Sequence, residues 1–526
     1  MVDVKTAEPP RGTAPTRTVR ASGLPRAPLS IVIAVVAGVV VLLAVLFLEP
    51  LLVGGVLLVA GGLYVFRRVV FNWTTMLFVL TAVILFVPIR RYALPIQVGF
   101  ALEPYRVVIA ALLIALAVTV FLRGTRDWKP VVWGWPIAIA LWTAFASLMV
   151  NAVTLTETGL IGGGFANVFQ LAFLLSTIVL VRQMLSTEKI TMILLNVIVL
   201  GGAVVGFFAF FERLTRRNIF LELNTFLPLI LLRDEGESLR AGGARAYASS
   251  QHPIALAVLF CMIIPLAIYL MKFSPWPRFA FTRKLFYAAA IGVMILGMLS
   301  AVSRTGVVTL GAMYLFILLV RPKLAGLLAL IAVPMVVLVA MVLPALFESM
   351  VLSLLDVQGL IASQMAAVGL PGQGRLADLP QAFAEFSYSP LAGTGLGSRV
   401  VVGDDANADI LDNQWLGSLL ESGVLGVLGL VVLLVWPIFV LTRFAFRRGV
   451  PAARAYLALA IATSAVGYAT AMFFYDAFAF MQTLLMLSVL LGIAAWAMTD
   501  GADSWPDPES DPVTAERDAP GAVAPR

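Results

Sequence analysis

The chain has 526 residues, of which 61% are hydrophobic and 12% charged, with a mean hydropathy of +0.99 and a formal net charge of +7. A soluble domain is about 45–50% apolar and about 25% charged, so a soluble enzyme is excluded. One cysteine, Cys261, and one histidine, His252, exclude an intrachain disulfide and a histidine- or cysteine-based metal cluster. The first 29 residues are rich in Pro, Ala, Thr and Arg, lack periodicity, and read as a disordered basic tail. Apolar runs then follow at the length of about 20 residues that a helix needs to cross a hydrocarbon core. They fall near 30–48, 51–66, 73–89, 105–122, 131–150, 165–181, 190–210, 253–271, 285–302, 305–320, 324–345, 415–441, 455–474 and 478–497. None alternates polar and apolar residues as an outer-membrane strand does, so a β-barrel is out. An all-α polytopic membrane protein of about fourteen helices is predicted, its transmembrane domain spanning 30–498 and a Pro-rich, acidic, disordered tail 499–526.

Orientation follows from where the basic residues lie. With the N-terminus inside, 24 of the 36 Lys and Arg fall on the cytoplasmic side, and an even number of spans returns the C-terminus there. The twelve on the outer side are all Arg, whereas all six Lys fall inside. Guanidinium groups bind phosphate oxygens through a planar fork that an ammonium lacks, so an anionic substrate is a good reason for an arginine-rich outer face. The plain alternative is that long outer loops escape the positive-inside rule. Two outer segments are long, 211–252 and 346–414. The second contains VLSLLDVQGLIASQ and LPQAFAEFSYSP, whose helical spacing of apolar and polar residues predicts short amphipathic helices at the membrane surface.

Candidate functional residues concentrate in and around these loops. Gly393, Gly395 and Gly397 alternate and allow close backbone approach, although no strand-turn-helix unit surrounds them as a dinucleotide site requires. Asp412 stands just before an apolar span, where it is either a helix cap or a carboxylate facing the outer cavity. Glu421 lies two to three turns into that span, where an unpaired carboxylate is costly, and is expected to pair with an Arg or line a wet cavity. Ser303-Arg304-Thr305-Gly306 separates two apolar runs with almost no loop, placing Arg304 at the membrane edge as a phosphate ligand or as a snorkelling arginine. His252 precedes Pro253, a residue suited to the first helical position, and reads as a cap before it reads as a catalyst. Tyr475-Asp476 adds a carboxylate on the same side.

Taken in order, these segments resemble the bacterial O-antigen ligase and O-antigen polymerase superfamily of polytopic glycosyltransferases. The resemblance rests on Arg245 to Pro253, on Ser303 to Gly306, on Arg375 ahead of Ser389-Pro390-Leu391-Ala392-Gly393-Thr394-Gly395-Leu396-Gly397, on Asp412-Asn413-Gln414-Trp415-Leu416, and on Leu420-Glu421-Ser422-Gly423-Val424-Leu425-Gly426. It covers about 245–426. It implies transfer or polymerisation of a glycan from an undecaprenyl diphosphate carrier on the outer face of the bacterial inner membrane. No metal or other cofactor is implied. The implied partners are the lipid-linked donor, a glycan or lipid acceptor, membrane lipid and other envelope-polysaccharide assembly proteins, with no nucleic acid. On this reading Arg106, Arg245, Arg304 and Arg375 hold the diphosphate, Gly395 and Asn413 shape the substrate site, Asp412 is the base, His252 the second candidate, and Glu421 a further catalytic carboxylate. Ligases of the family typically carry His where Asp412 stands, a departure that favours a polymerase or an atypical transferase. The competing class is a transporter or flippase for an anionic or lipid-linked solute, which calls for ionisable groups near the bilayer midplane.

Overall fold

Runs rich in Leu, Val, Ile and Ala satisfy every main-chain polar group within one segment only by coiling into helices, which is the condition for crossing a bilayer. The computed structural model describes residues 72–96, 100–122, 128–232, 239–240, 243–367, 370–371, 379–400, 407–408 and 411–499. The expected spans at 30–48 and 51–66 and both tails up to 29 and beyond 499 lie outside these residues.

Twelve long apolar helices occupy the other twelve expected positions: α1 Trp73–Phe86, α2 Pro104–Ala117, α3 Gly134–Val150, α4 Ile161–Met184, α5 Glu188–Thr215, α6 Pro253–Phe273, α7 Ala280–Ser300, α8 Arg304–Val320, α9 Pro322–Val342, α11 Gln414–Ala445, α12 Ala452–Ala471 and α13 Met481–Thr499. Among the described residues nine helices are long and apolar enough to cross a membrane, and α1, α3 and α8 are shorter apolar helices. The chain is thus an all-α, integral membrane protein, and the count of fourteen is not reached within the described residues. Between α9 and α11 the long loop carries short helices, including α10, Leu379–Tyr388, and Val357–Met365, where the sequence patterning places surface helices.

The centre of the bundle is α6, α12 and α13. Almost every residue of Pro253–Phe273 and of Met481–Ala497 is buried, and α12 presents a run of Ala, Ser and Gly that lets its neighbours approach. Gly206 on α5 and Gly297 on α7 meet backbone to backbone, where a Cβ on Gly297 would stand 2.7 Å from Gly206 Cα.

The described residues of the segments 87–103, 151–160, 216–252, 301–303, 343–413 and 472–480, which connect alternate pairs of successive helices, gather at one end. Hydrogen bonds tie them together there. The Tyr92 hydroxyl donates to Phe220 O, Ala246 N to Ser300 O, and Gln414 N to Met472 O. A two-residue antiparallel ladder, Tyr92–Ala93 with Ile230–Leu231, joins the first and third of these segments. This loop-rich end carries every candidate site residue that the structure describes. The lysines Lys129, Lys189, Lys272, Lys284 and Lys323 sit at or near the other end, on the segments that close α2 to α3, α4 to α5, α6 to α7 and α8 to α9.

Candidate functional site

The apolar run from 415 to 441 does not form one continuous helix. At Gly423 the backbone turns to φ 64° and ψ −162°, which breaks α11 into a short first piece, 414–422, and a long second one. A broken helix leaves amides and carbonyls to be satisfied, and the segment 390–395 takes them. Val424 N and Leu425 N donate to the Pro390 and Leu391 carbonyls at 2.9 and 3.1 Å, while the Leu420 and Glu421 carbonyls accept from Thr394 N and Gly395 N at 3.0 and 2.8 Å. Ser147 Oγ on α3 donates to this junction, 2.7 Å from Ala392 O and 3.0 Å from Glu421 O. Such an approach excludes side chains: a Cβ on Gly393 would lie 2.5 Å from Glu421 C, and one on Gly423 2.3 Å from Leu391 O. Gly393 therefore serves the helix break, Gly395 contributes its amide to the Glu421 carbonyl, and Gly397 packs against the backbone of Gly164 on α4.

At the start of the short piece the structure decides against the cap among the two readings open for Asp412. Asn413, not Asp412, is the N-cap, its Oδ1 accepting from Leu416 N at 3.1 Å. Asp412 is one residue outside, at φ 48°, in the left-handed region that Asp and Asn tolerate best among residues with a side chain. Two adjacent residues of the capping type compete, and the chain enters the helix so that only the second faces its first-turn amides. Gln414 then fastens this start to the 472–480 turn: its amide donates to Met472 O, and its Oε1 accepts from Phe478 N at 2.8 Å.

That turn carries Asp476 into the neighbourhood of Asp412. Its half-buried position raises the Asp476 pKa by desolvation, opposed by the Ala479 and Phe478 amides and by Arg90, and reinforced by the charge of Asp412. Asp476 also lies within electrostatic reach of Glu421. Glu421 was expected to pair with an arginine or to line a wet cavity. Its carboxylate lies within electrostatic reach of Arg399, whose guanidinium holds both carboxylate oxygens of Glu385 on α10, at 2.7 and 2.6 Å.

The arginines form two patches at this end. Arg106, in the first turn of α2, pairs with Glu103 at 3.3 Å and donates Nε to the Tyr105 hydroxyl. Glu103 is buried, which raises its pKa against the Arg90 amide and the Arg106 charge. Tyr105 in turn reaches Met481 at the head of α13, directly after the Asp476 turn. The second patch surrounds the 301–303 turn. Arg245 donates Nε to Ala301 O at 3.2 Å, Arg304 opens α8, and between them Ser303 precedes the helix without capping it. The Ser303 hydroxyl is buried and has no hydrogen-bond partner among the described residues. His252 lies at this end as well. It caps α6, Nδ1 accepting from Ile254 N at 3.2 Å, with its ring 5.5 Å from that of Phe480. Arg375 lies outside the described residues.

Residues that sequence reasoning did not single out complete the picture. Arg91 is buried, donates to Gln251 O at 3.0 Å and lies 4.5 Å over the Tyr247 ring, linking the first loop to His252. Arg399 follows the glycines directly, and Gln414 follows the cap, positions that a reader of the motif could have extended to. Ser147 carries no such signal. Among the described residues no group of three or more His, Cys, Asp or Glu stands close enough to hold a metal ion.

The family model described as O-antigen ligase matches residues 289–431. The match runs from within α7 through the second loop and past the break at Gly423, taking in Ser303 to Gly306 and Asp412 to Gly426 of the motifs, while Arg245 to Pro253 and the turn at Asp476 lie outside it. No curated protein matches the chain. The match supports a membrane glycan-processing role in polysaccharide assembly.

Proposed function

We propose that the protein transfers or polymerises a glycan from an undecaprenyl diphosphate carrier at the outer face of the bacterial inner membrane, without a metal ion. The observation that carries this reading is the start of α8. A helix N-terminus with its positive dipole end favours anions, and here it coincides with Arg304 in its first turn, Arg245 held to the preceding turn, and the buried, unengaged Ser303 hydroxyl. A diphosphate oxygen satisfies all of these together. In the reaction the acceptor hydroxyl oxygen bonds to the anomeric carbon as the bond from that carbon to the diphosphate oxygen breaks. The bonding pair leaves with the diphosphate, where guanidinium groups stabilise the growing charge, and the acceptor proton passes to Asp412. The apolar helices give the polyprenyl chain a path in lipid. A transporter is disfavoured because the ionisable groups named above sit at helix ends and in loops, with Glu421 the exception.

Purified protein in lipid, given a lipid-linked oligosaccharide, tests this. A ladder of products identifies a polymerase and a single adduct a ligase; unaltered donor sinks the proposal. Product formation will survive EDTA, and loss on chelation with rescue by a divalent ion would contradict the metal-free assignment.

Fork geometry also makes a prediction. Arg304→Lys and Arg245→Lys keep the charge but lose the planar pair of donors, and each will lower turnover by about tenfold or more, the order of one lost charge-assisted hydrogen bond. Wild-type rates in both lysine variants would show that charge alone suffices.

The orientation is tested separately. In a Cys261→Ser background, a cysteine at position 380 on exposed α10 will react with an impermeant maleimide in intact cells. Reaction only after permeabilisation would invert the topology.

A further inference from the structure

Glu212 sits in the last turn of α5 with only 5% of its surface exposed. Both features are costly. A carboxylate is penalised by burial, and at a helix C-terminus it meets the negative end of the dipole. It has no part in the proposed transfer step. What it holds is main chain: Oε1 accepts from Tyr247 N at 3.3 Å and Oε2 from Ala248 N at 2.8 Å. Ala248 is itself strained, an alanine at φ 46°, in the region that residues with a Cβ rarely adopt. Asn218 Nδ2 grips the same residue from its other side, donating to Ala248 O at 3.0 Å. A left-handed alanine persists only where its surroundings over-determine it, and here a carboxylate and a carboxamide do so.

The clamped turn stands between two of the candidate site residues. Just before it, Ala246 N donates to Ser300 O at 3.1 Å and Arg245 Nε to Ala301 O at 3.2 Å, so the chain at Arg245 lies along the residues that lead into Ser303 and Arg304. Just after it, Ser250 donates to Gln482 Oε1, Arg91 to Gln251 O, and His252 caps α6. We infer that Glu212 is a positioning residue: its two carboxylate oxygens hold the Tyr247–Ala248 turn in its left-handed form and thereby set Arg245 against the start of α8, where the proposed function places the diphosphate. The kinetic consequence rests on that reading, and the structural one does not. Each oxygen serves one amide, so no shorter or neutral side chain replaces both. Glutamine keeps one acceptor and turns its NH2 toward the other amide, and alanine keeps none.

A double-mutant cycle with Arg245 separates positioning from mere support of the fold. For purified protein in lipid, given a lipid-linked oligosaccharide, Glu212→Ala will lower kcat/KM for the donor about tenfold, the order of one charge-assisted hydrogen bond lost by Arg245. Glu212→Gln will fall between that variant and wild type. In an Arg245→Ala background the same Glu212→Ala change will alter kcat/KM less than about twofold, because residues that act through one another are not additive. An equal loss in both backgrounds is the result if Glu212 serves the fold alone, and it would overturn the inference. So would a wild-type kcat/KM in Glu212→Ala. The structural readout needs no turnover. Ser249→Cys, in the Cys261→Ser background, is a near-isosteric change at a fully buried position of the same turn. Its reaction with a maleimide in detergent will be several-fold faster in Glu212→Ala than with Glu212 intact, with Glu212→Gln intermediate. Should the alanine variant not reach the membrane, the glutamine variant carries both measurements with the same signs. Labelling at the rate seen with Glu212 intact would show that the carboxylate does not hold the turn. If wild-type protein transfers no glycan, the proposed function fails while the labelling rates still decide whether Glu212 holds the turn.

Discussion

Gly423→Ala will destabilise the protein by about 4 kcal/mol or more, the largest effect of any single methyl added at this end of the bundle. Two contributions add. The backbone at φ 64° and ψ −162° lies in a region open essentially to glycine alone, where a side chain costs about 1–3 kcal/mol. The new Cβ would also lie 2.3 Å from Leu391 O and 2.4 Å from Leu391 C. Both are main-chain atoms, which cannot rotate aside as a side-chain tip can. Relief requires the 390–395 segment to leave the break, giving up the Val424 to Pro390 and Leu425 to Leu391 hydrogen bonds in a place where water cannot fully replace them, at roughly 1 kcal/mol or more each. The measurement is thermal unfolding of detergent-solubilised protein followed by size-exclusion chromatography, with membrane yield alongside. Gly417→Ala, six residues earlier on the same helix, is the control: its Cβ would meet nothing within 4 Å, and alanine in a helix is better than glycine by about 1 kcal/mol. A melting temperature for Gly423→Ala equal to that of the control would show that the helix is not broken in this way.

The contrast between those two glycines marks what can be read from the chain and what cannot. Twelve apolar helices were legible because a bilayer demands long apolar runs, and nine of them are long enough to cross it; the short breaks at 301–303 and 472–480 were legible because Ser-Arg-Thr-Gly and Tyr-Asp interrupt such runs. His252 was legible as a cap because Pro253 cannot sit deeper in a helix. Gly423, by contrast, lies in the run ESGVLGVLGLVV with Gly426 and Gly429, and composition gives no reason to break the helix at the first glycine and not the others. The break exists because the 390–395 segment, about thirty residues earlier, supplies the partners, and a non-local hydrogen-bond exchange leaves no local trace. The same is true of Asp412 and Asn413, either of which caps well in isolation. In each case residue type correctly marked a polar position, and only tertiary geometry assigned the partner.

That geometry makes the identity of the proton acceptor decidable by substitutions that leave the fold alone. Asp412→Asn removes the carboxylate charge while keeping a residue that tolerates φ 48°, and Asn413 remains in place as the cap. Lost activity would therefore report chemistry and not a frayed helix. His252→Asn keeps an N-cap oxygen for the Ile254 amide, which Nδ1 now serves, and Asn is among the best caps. Asp476→Asn removes the neighbouring carboxylate. With Asp412 as the base, Asp412→Asn will lower kcat by about a hundredfold or more, the usual worth of a positioned general base, whereas His252→Asn will cost less than about threefold. Loss confined to His252→Asn moves the role to the imidazole, whose unperturbed pKa near 6.5 suits it without tuning. Loss confined to Asp476→Asn moves it to the carboxyl that desolvation makes more basic than an ordinary aspartate. The pH profile then tests the Asp476 case. A base must be unprotonated to act, so the rate is lost as pH falls through its pKa in the folded protein, and for Asp476 that loss begins above the ordinary carboxylate range. Full activity in all three variants would remove general-base catalysis by any of these residues.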